Sequence, residues 1–219
     1  MELAPRLVYQ KGDHVCSLFS SAEEQLATAV AYIRGGLERN ERCLYICCDH
    51  SLPEFRRALA TARIDVRAEE GRGALVLLTR HEGHLAGGSF DPDRMIAMLD
   101  TAVGDAKAAG FDGLCAGGDM TWLVDQAPGS ERVAEYEARL NRFFATNRAL
   151  GLCQYSRRKL PTALIDHGIA THRHIRVDGP VLLENPFYEL PEKAMDRIAT
   201  PHRVDAKLER LRAATAAFR

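Results

Sequence analysis

The sequence predicts an α/β protein: three layers around a mostly parallel central sheet, with a C-terminal hairpin and a terminal helix. Three observations predict it. Short, continuously apolar runs recur at 15–19, 43–48, 74–79, 113–116 and 150–155, as strands buried on both faces do. Longer segments with apolar residues at helical spacing lie between them. Capping and turn residues punctuate the junctions.

Each element follows from its own residues. The run 15–19 leads to Ser21 and Glu24, a capping-box spacing that opens a helix. Leu26, Val30, Ile33 and Leu37 fall on one face of that helix, and Gly35 and Gly36 weaken its last turn. Segment 43–48 reads as the second strand, 52–63 as a helix and 74–79 as the third strand. The loop 80–90, rich in Gly and His, exceeds the usual strand-to-helix length and is a candidate lid. Asp91 and Pro92 provide an N-cap and a first-turn proline for a helix with Ile96, Leu99 and Val103 inward and Gly110 as its stop. A fourth strand begins at 113–116, with Gly117, Gly118 and Asp119 towards its C-terminal end. The helix 130–147 turns Val133, Tyr136, Leu140 and Phe144 inward, 150–155 is the fifth strand, and a short helix runs through Ile169. Segments 175–177 and 181–183 flank Asp178-Gly179-Pro180 as a hairpin. Residues 1–190 thus read as one domain. Residues 191–219 read as a helical extension whose helix, 204–218, either docks on that domain or pairs with a second copy through Leu208 and Leu211.

Composition narrows the function. The chain has 219 residues, 46% hydrophobic and 27% charged, with a formal net charge of −1. That is the composition of a folded domain with no electrostatic bias towards nucleic acid. No apolar run approaches the ~20 residues of a membrane span, and the first ten residues lack the apolar core of a signal peptide. A cytoplasmic location is expected, so the six cysteines read as thiols.

The first strand-to-helix turn, Phe19-Ser20-Ser21-Ala22-Glu23-Glu24, contains no GxxxxGK[ST], no GxGxxG and no lysine. Glu23 and Glu24 sit at the positive end of the helix dipole, where they would repel a phosphate. The layout resembles a RecA-like ATPase whose catalytic loop has been removed, and ATP hydrolysis is not expected.

Several residues are candidates for chemistry, each with a plainer alternative. His14 and Cys16 project from one face of the first strand. They could contact a small polar ligand, supply two metal ligands, or be a strand-edge histidine beside a buried thiol. His81 and His84 have HxxH spacing but lie in a Gly-rich loop, His172 and His174 form a second close pair, and no CxxC occurs. No metal ligand set is therefore expected, and most of these histidines should face solvent. Asp119 and Trp122 could line a pocket, or cap a turn and fill core. Tyr155 with Arg157, Arg158 and Lys159 could receive an anion, or form a solvated loop. No nucleophile motif is recognisable, and nothing adjacent lowers the Cys16 thiol from its ordinary pKa of about 8.5. No catalytic residue and no cofactor are expected.

Motifs in a fixed order carry a family resemblance. They are Gly12-Asp13-His14-Val15-Cys16 through Phe19, the stretch 36–45 ending in Leu44-Tyr45, and Gly118-Asp119-Met120-Thr121-Trp122. Tyr136-Glu137 with Leu140-Asn141, Leu152-Cys153-Gln154-Tyr155 and Asn185-Pro186-Phe187-Tyr188 follow. Together, from Gly12 to Tyr188, they resemble the MEDS domain, the sensory domain of dichloromethane-regulator-type proteins. The resemblance implies a RecA-like fold without a working phosphate loop. It also implies a non-catalytic sensor of small hydrocarbon derivatives in prokaryotic signalling or transcriptional control. Matched by position, His14 and Cys16 form its His-x-Cys motif, and Asp119, Trp122 and Tyr155 its later ligand-facing positions. Phe19 and Tyr45 from the opening motifs, and Arg157 from the basic cluster, are counted with them. The expected partners are a small organic ligand, a signalling or transcriptional protein and a second copy of the chain, with no membrane and no direct nucleic acid. The alternative is a metal- or redox-responsive sensor built on His14 and Cys16. A change of state on binding is expected in the loop 80–90 or in the terminal helix.

Overall fold

Six mutually parallel strands form the centre of the computed structural model, which describes residues 5–6, 8–190 and 201–217. The strands are β1 (Pro5–Arg6), β2 (His14–Phe19), β3 (Arg42–Cys47), β4 (Leu75–Thr79), β5 (Leu114–Asp119), β6 (Ala149–Ser156), β7 (His174–Val177) and β8 (Leu182–Glu184). They lie in the order β1-β8-β7-β2-β6-β5-β3-β4, with β8 antiparallel to both β7 and β1. The helices are α1 (Ala22–Glu38), α2 (Leu52–Thr61), α3 (Val66–Gly71), α4 (Pro92–Ala108), α5 (Val133–Thr146), α6 (Thr162–Thr171) and α7 (Pro201–Ala216).

Each sheet face buries its own core. Ala29, Tyr32 and Ile33 of α1 and Phe55 and Leu59 of α2 pack on Val15, Tyr45 and Leu152. On the other face, Leu99 of α4, Leu140 and Phe144 of α5 and Ile165 of α6 pack on Cys16, Leu18 and Ile46. Such burial on both faces explains why the strands read as unbroken apolar runs. Two glycines let helices lie close to the sheet. A Cβ at Gly36 would stand 2.6 Å from the Cys43 sulfur, and one at Gly151 would stand 2.2 Å from the Phe144 ring. Gly36, a weak helix former in isolation, thus allows the last turn of α1 to approach β3.

The caps follow the sequence with one shift. Ser21 Oγ accepts from the Glu24 N–H, but the Glu24 carboxylate reaches back to the N–H of Ser20, not that of Ser21. The reciprocal box forms at Ser51 and Glu54, which open α2. Asp91 caps α4 as expected. Helix α3 has no counterpart in the sequence reading, being too short for periodicity to register; Asp65 caps it.

The loop 80–90 is folded onto the sheet rather than standing open. Gly83, His84, Leu85 and Phe90 are buried, and the Phe90 N–H donates to the Pro128 carbonyl at 2.8 Å. Helix α7 docks on its own chain, the first of its two expected alternatives. Val204, Leu208 and Leu211 join the core where the helix packs on β7, β8 and α6. Lys207 pairs with Asp166, and Arg212 Nε stands 2.6 Å from Asp178 Oδ2. Residues 191–200 and Phe218 of the expected extension lie outside the described residues. Among the described residues, no helix is long and apolar enough to cross a membrane.

Leu211 is fully buried where α7 meets the domain. Leu211→Ala should cost about 2–5 kcal/mol in urea unfolding, and a loss below about 1 kcal/mol would show that this docking contributes little.

Candidate functional site

Helix α5 carries an acidic residue on its apolar face. Val133, Glu137, Leu140 and Phe144 recur at intervals of four, three and four, so the Glu137 side chain points at the sheet. Strands β2 and β6 run parallel in a register that pairs His14 with Gly151, Cys16 with Cys153 and Leu18 with Tyr155. His14, Cys16, Cys153 and Tyr155 therefore share the face beneath α5, and Gly151 leaves room beside His14. Residue His172 follows the end of α6, and its Nδ1 lies 2.7 Å from the Gly168 carbonyl, one of the acceptors a helix C-terminus leaves open.

These residues surround the Glu137 carboxylate. Its Oε2 stands 3.2 Å from His14 Nε2, 3.3 Å from His172 Nε2 and 3.8 Å from Cys153 Sγ. Its Oε1 accepts from the Tyr155 hydroxyl at 2.7 Å. The Cys153 sulfur is 3.5 Å from His14 Nε2, and the two imidazole centroids are 4.0 Å apart. Asn141, one turn along α5 from Glu137, places Oδ1 at 3.2 Å from His14 Nδ1. Its amide nitrogen donates to the carbonyls of Glu137 and Thr171, which fixes which end of the amide faces the imidazole.

Burial and charge act together on these groups. Burial alone would raise the Glu137 carboxyl, but the imidazoles of His172 and His14 outweigh it and hold the group well below the usual carboxylate range. Burial lowers the His172 imidazole, with His14 adding to the effect. Burial and the Glu137 charge push up the thiols of Cys16 and Cys153 and the Tyr155 phenol. Neither thiol is an activated thiolate.

A small cavity adjoins this cluster. It has a volume of about 30 Å³ and lies between the sheet and helices α4 and α5, lined by Leu44, Ile46, Met95, Leu99 and Phe144 and bounded by Cys153 and His84. The loop 80–90 delivers His84, whose ring stacks on Trp122 at 5.2 Å, while Trp122 packs on Phe90 at 4.6 Å. Gly118 opens the strand to it, since a Cβ there would lie 3.0 Å from the imidazole. Among the described residues His84 Nδ1 has no hydrogen-bond partner, and burial pushes the ring's pKa down to about 3.

The structure divides the residues singled out in the sequence. His14, Cys16 and Tyr155 come together beneath α5. Trp122 is core, reaching the cavity only through His84, and Asp119 caps a turn, accepting from the N–H groups of Asp49 and Thr121 at 2.9 and 3.0 Å. Phe19 and Tyr45 lie on the opposite sheet face, because strand alternation sends Val15, Ser17 and Phe19 away from His14. The Tyr45 hydroxyl bonds there with Gln25 and Gln154. Arg157 pairs with Asp178 and Ser20. The eight therefore do not line one pocket. The cluster gathers around His14, the first residue of β2, and not at the C-terminal tips of the strands. His172 and His84 are buried where solvent exposure was expected, while His81 is exposed and the HxxH pair does not assemble.

Glu137, Asn141 and His84 were missed as site residues. The available signal was an acidic residue in phase with Val133, Leu140 and Phe144, with an amide four residues further on. In the folded state His84 resists protonation, whereas in the unfolded chain it titrates near 6.5, so its contribution is full above that pH and is lost as pH falls towards 3. Urea unfolding from pH 6 to 4 should show wild type losing about 1.4 kcal/mol per pH unit more than His84→Phe, and parallel curves would refute this.

The fold is shared with solved structures. A KaiC-like protein from the hyperthermophilic archaeon Pyrococcus horikoshii OT3 superposes with a TM-score of 0.56 at 13% identity, over 77% of this chain and 72% of that one. The architecture is thus RecA-like. No curated protein matches in sequence. A family profile described as MEthanogen/methylotroph, DcmR Sensory domain matches residues 13–173, a span that holds Glu137, all the residues around it and the loop bearing His84, and the chain accordingly belongs to the MEDS family.

Proposed function

We propose that this sensory domain detects a small, uncharged organic molecule held in the cavity between His84 and Cys153, without transforming it. The observation that carries the reading is the unpartnered Nδ1 of a fully buried, neutral imidazole on the wall of an otherwise apolar space. A buried polar atom without a partner is costly, and a ligand that supplies one is favoured there. The one unpartnered nitrogen of a neutral imidazole offers a single donor or acceptor, which suits a halogenated or hydroxylated hydrocarbon better than an ion. Size limits the ligand further. A water needs roughly 10–15 Å³ of such volume, so a cavity of about 30 Å³ suits a molecule of one or two carbons. The family's description, with its methanogens and methylotrophs, agrees with a one-carbon ligand.

Binding alters output only if the ligand prefers one of two conformations. The loop 80–90 is the candidate second state, since it carries His84 to the cavity, and α7 is the candidate relay to a signalling or transcriptional partner or a second copy. Hydrogen exchange should slow in 80–90 on ligand addition and change in α7. Unchanged protection in both would refute this division of roles.

The ligand itself is tested by calorimetry and thermal shift with chlorinated methanes, methanol and ethanol. One of them at 100 times its dissociation constant should add about 2.7 kcal/mol, a rise of roughly 5–10 °C in Tm. Ala116→Val, which fills the cavity, should weaken that binding at least tenfold while leaving the fold intact. Equal binding by the variant, or no binding by wild type across the series, would overturn the proposal.

A further inference from the structure

The cluster around Glu137 has a property that a ligand cavity does not require. Four different donor atoms, His14 Nε2, His172 Nε2, Glu137 Oε2 and Cys153 Sγ, all lie within 4.8 Å of one another, and all four residues are buried. Bonds of about 2.1 Å to nitrogen and oxygen and about 2.3 Å to sulfur, at tetrahedral angles, would set donors about 3.4 Å apart, or about 3.6 Å where sulfur is one of the pair. The separations are 3.2 Å and 3.3 Å from the carboxylate oxygen to the two nitrogens, and 3.5 Å and 3.8 Å from sulfur to His14 Nε2 and the carboxylate oxygen. Small shifts of ordinary side chains would close this set on one ion.

The surrounding hydrogen bonds orient the donors for that role. Asn141 Oδ1, with its amide end fixed by two carbonyl acceptors, accepts a hydrogen bond from His14 Nδ1–H, and the Gly168 carbonyl accepts one from His172 Nδ1–H. With Nδ1 engaged in this way, each ring presents its Nε2 to the Glu137 carboxylate, the atom a metal ion would take. Imidazoles held at one nitrogen by an amide or carbonyl and left open at the other are how metal-binding histidines are commonly presented. The Tyr155 hydroxyl occupies the second carboxylate oxygen, leaving Oε2 for the ion.

We propose that His14, Glu137, Cys153 and His172 bind one divalent transition-metal ion, zinc by preference, as a closed four-coordinate site that ties β2, β6, α5 and α6 together. Two imidazoles, a thiolate and a carboxylate suit zinc and disfavour magnesium or calcium, which seek oxygen. The charges balance, two positive on the ion against one each on thiolate and carboxylate, with the thiol proton released to solvent on binding. A surface cleft lined by Asp13, His14, Asn141, Arg142 and His174 offers a way in. Four protein donors leave no open position, so the ion's role is to hold the elements and not to process a substrate.

The full chain, made without a polyhistidine tag, should contain close to one zinc per chain by mass spectrometry of the digested protein. After stripping with a chelator it should take up one Zn²⁺ saturably, with a rise in Tm. Co²⁺ in its place should give strong visible bands and a thiolate charge-transfer band. Cys153→Ser should abolish that band and weaken Zn²⁺ binding at least tenfold, as should Glu137→Gln, while Cys16→Ser and Cys43→Ser should leave both intact. Failure of stripped wild type to bind Zn²⁺ saturably would overturn the site and leave a histidine–carboxylate ion pair in its place, as would wild-type affinity in Cys153→Ser. Should a variant fail to fold, cobalt spectra of the wild type alone, with or without the thiolate band, decide the matter. No organic ligand enters these measurements, so their outcome is separate from that of the proposed sensing role.

Discussion

A carboxylate without access to water, at the centre of one core, is the constraint around which the structure is organised. Glu137 is fully buried on the face of α5 that otherwise packs apolar side chains on the sheet. Removing an ion from water costs several kcal/mol even after the surroundings relax, so the fold must surround it with partners. It draws them from three places: His14 from β2, Cys153 and Tyr155 from β6, and His172 from the junction of α6 and β7. Losing any one partner exposes the others to an unbalanced charge. This couples the packing of α5 to the register of β2 on β6 and to the point at which α6 must stop.

The pleat of the sheet explains why motifs adjacent in sequence do not form one site. In His14-Val15-Cys16 the flanking residues face α5 and Val15 faces α1. In Leu152-Cys153-Gln154-Tyr155 the same alternation sends Cys153 and Tyr155 to Glu137, and Gln154 to Tyr45 and Gln25. Each face thus has its own polar network inside its own core. One is ionic, beneath α5. The other is an uncharged arrangement of Tyr45, Gln25 and Gln154 beneath α1, in which the Gln154 amide also donates to the Gln25 carbonyl. Specific buried networks of this kind fix the position of helices that apolar packing alone would let slide.

Much of the fold was legible because strands buried on both faces write continuous apolar runs and capped helices write their own first turns. The strands 15–19, 43–48, 74–79 and 150–155 are found within a residue or so of their expected places. The site was less legible, for two physical reasons. Its members come from elements far apart in sequence, so spacing carries no information about their contact. The informative residue, Glu137, also differs from a solvent-facing glutamate only by its helical phase, one position from Tyr136, which the same periodicity marks as core. Histidines misled for a related reason: His84 sits in a Gly-rich stretch that reads as an open loop, yet Gly83 packs so closely on Ile46 that a Cβ there would lie 2.7 Å from it, and the loop is drawn down onto the sheet.

The first strand-to-helix turn shows where a nucleotide-binding scaffold of this shape has been altered. In phosphate-binding relatives of the architecture, backbone N–H groups at the start of the first helix meet the anion. Here the protein's own carboxylates occupy that position: Glu24 accepts from the N–H of Ser20 at 2.9 Å, and Glu23 is held ionised by its own N–H and by Ser21. An incoming phosphate would have to displace one carboxylate and overcome the other. The helix dipole that could hold a phosphate holds these side chains instead, so the tip of β2 loses its attraction for anions. The cavity proposed above to hold a small molecule lies deeper, between the sheet and α5, beside the His84 imidazole and Cys153. Charge discrimination follows from that shift alone. Walls of Leu44, Ile46, Met95 and Phe144 penalise a charged occupant by desolvation, so the proposed cavity favours a molecule that carries little charge of its own.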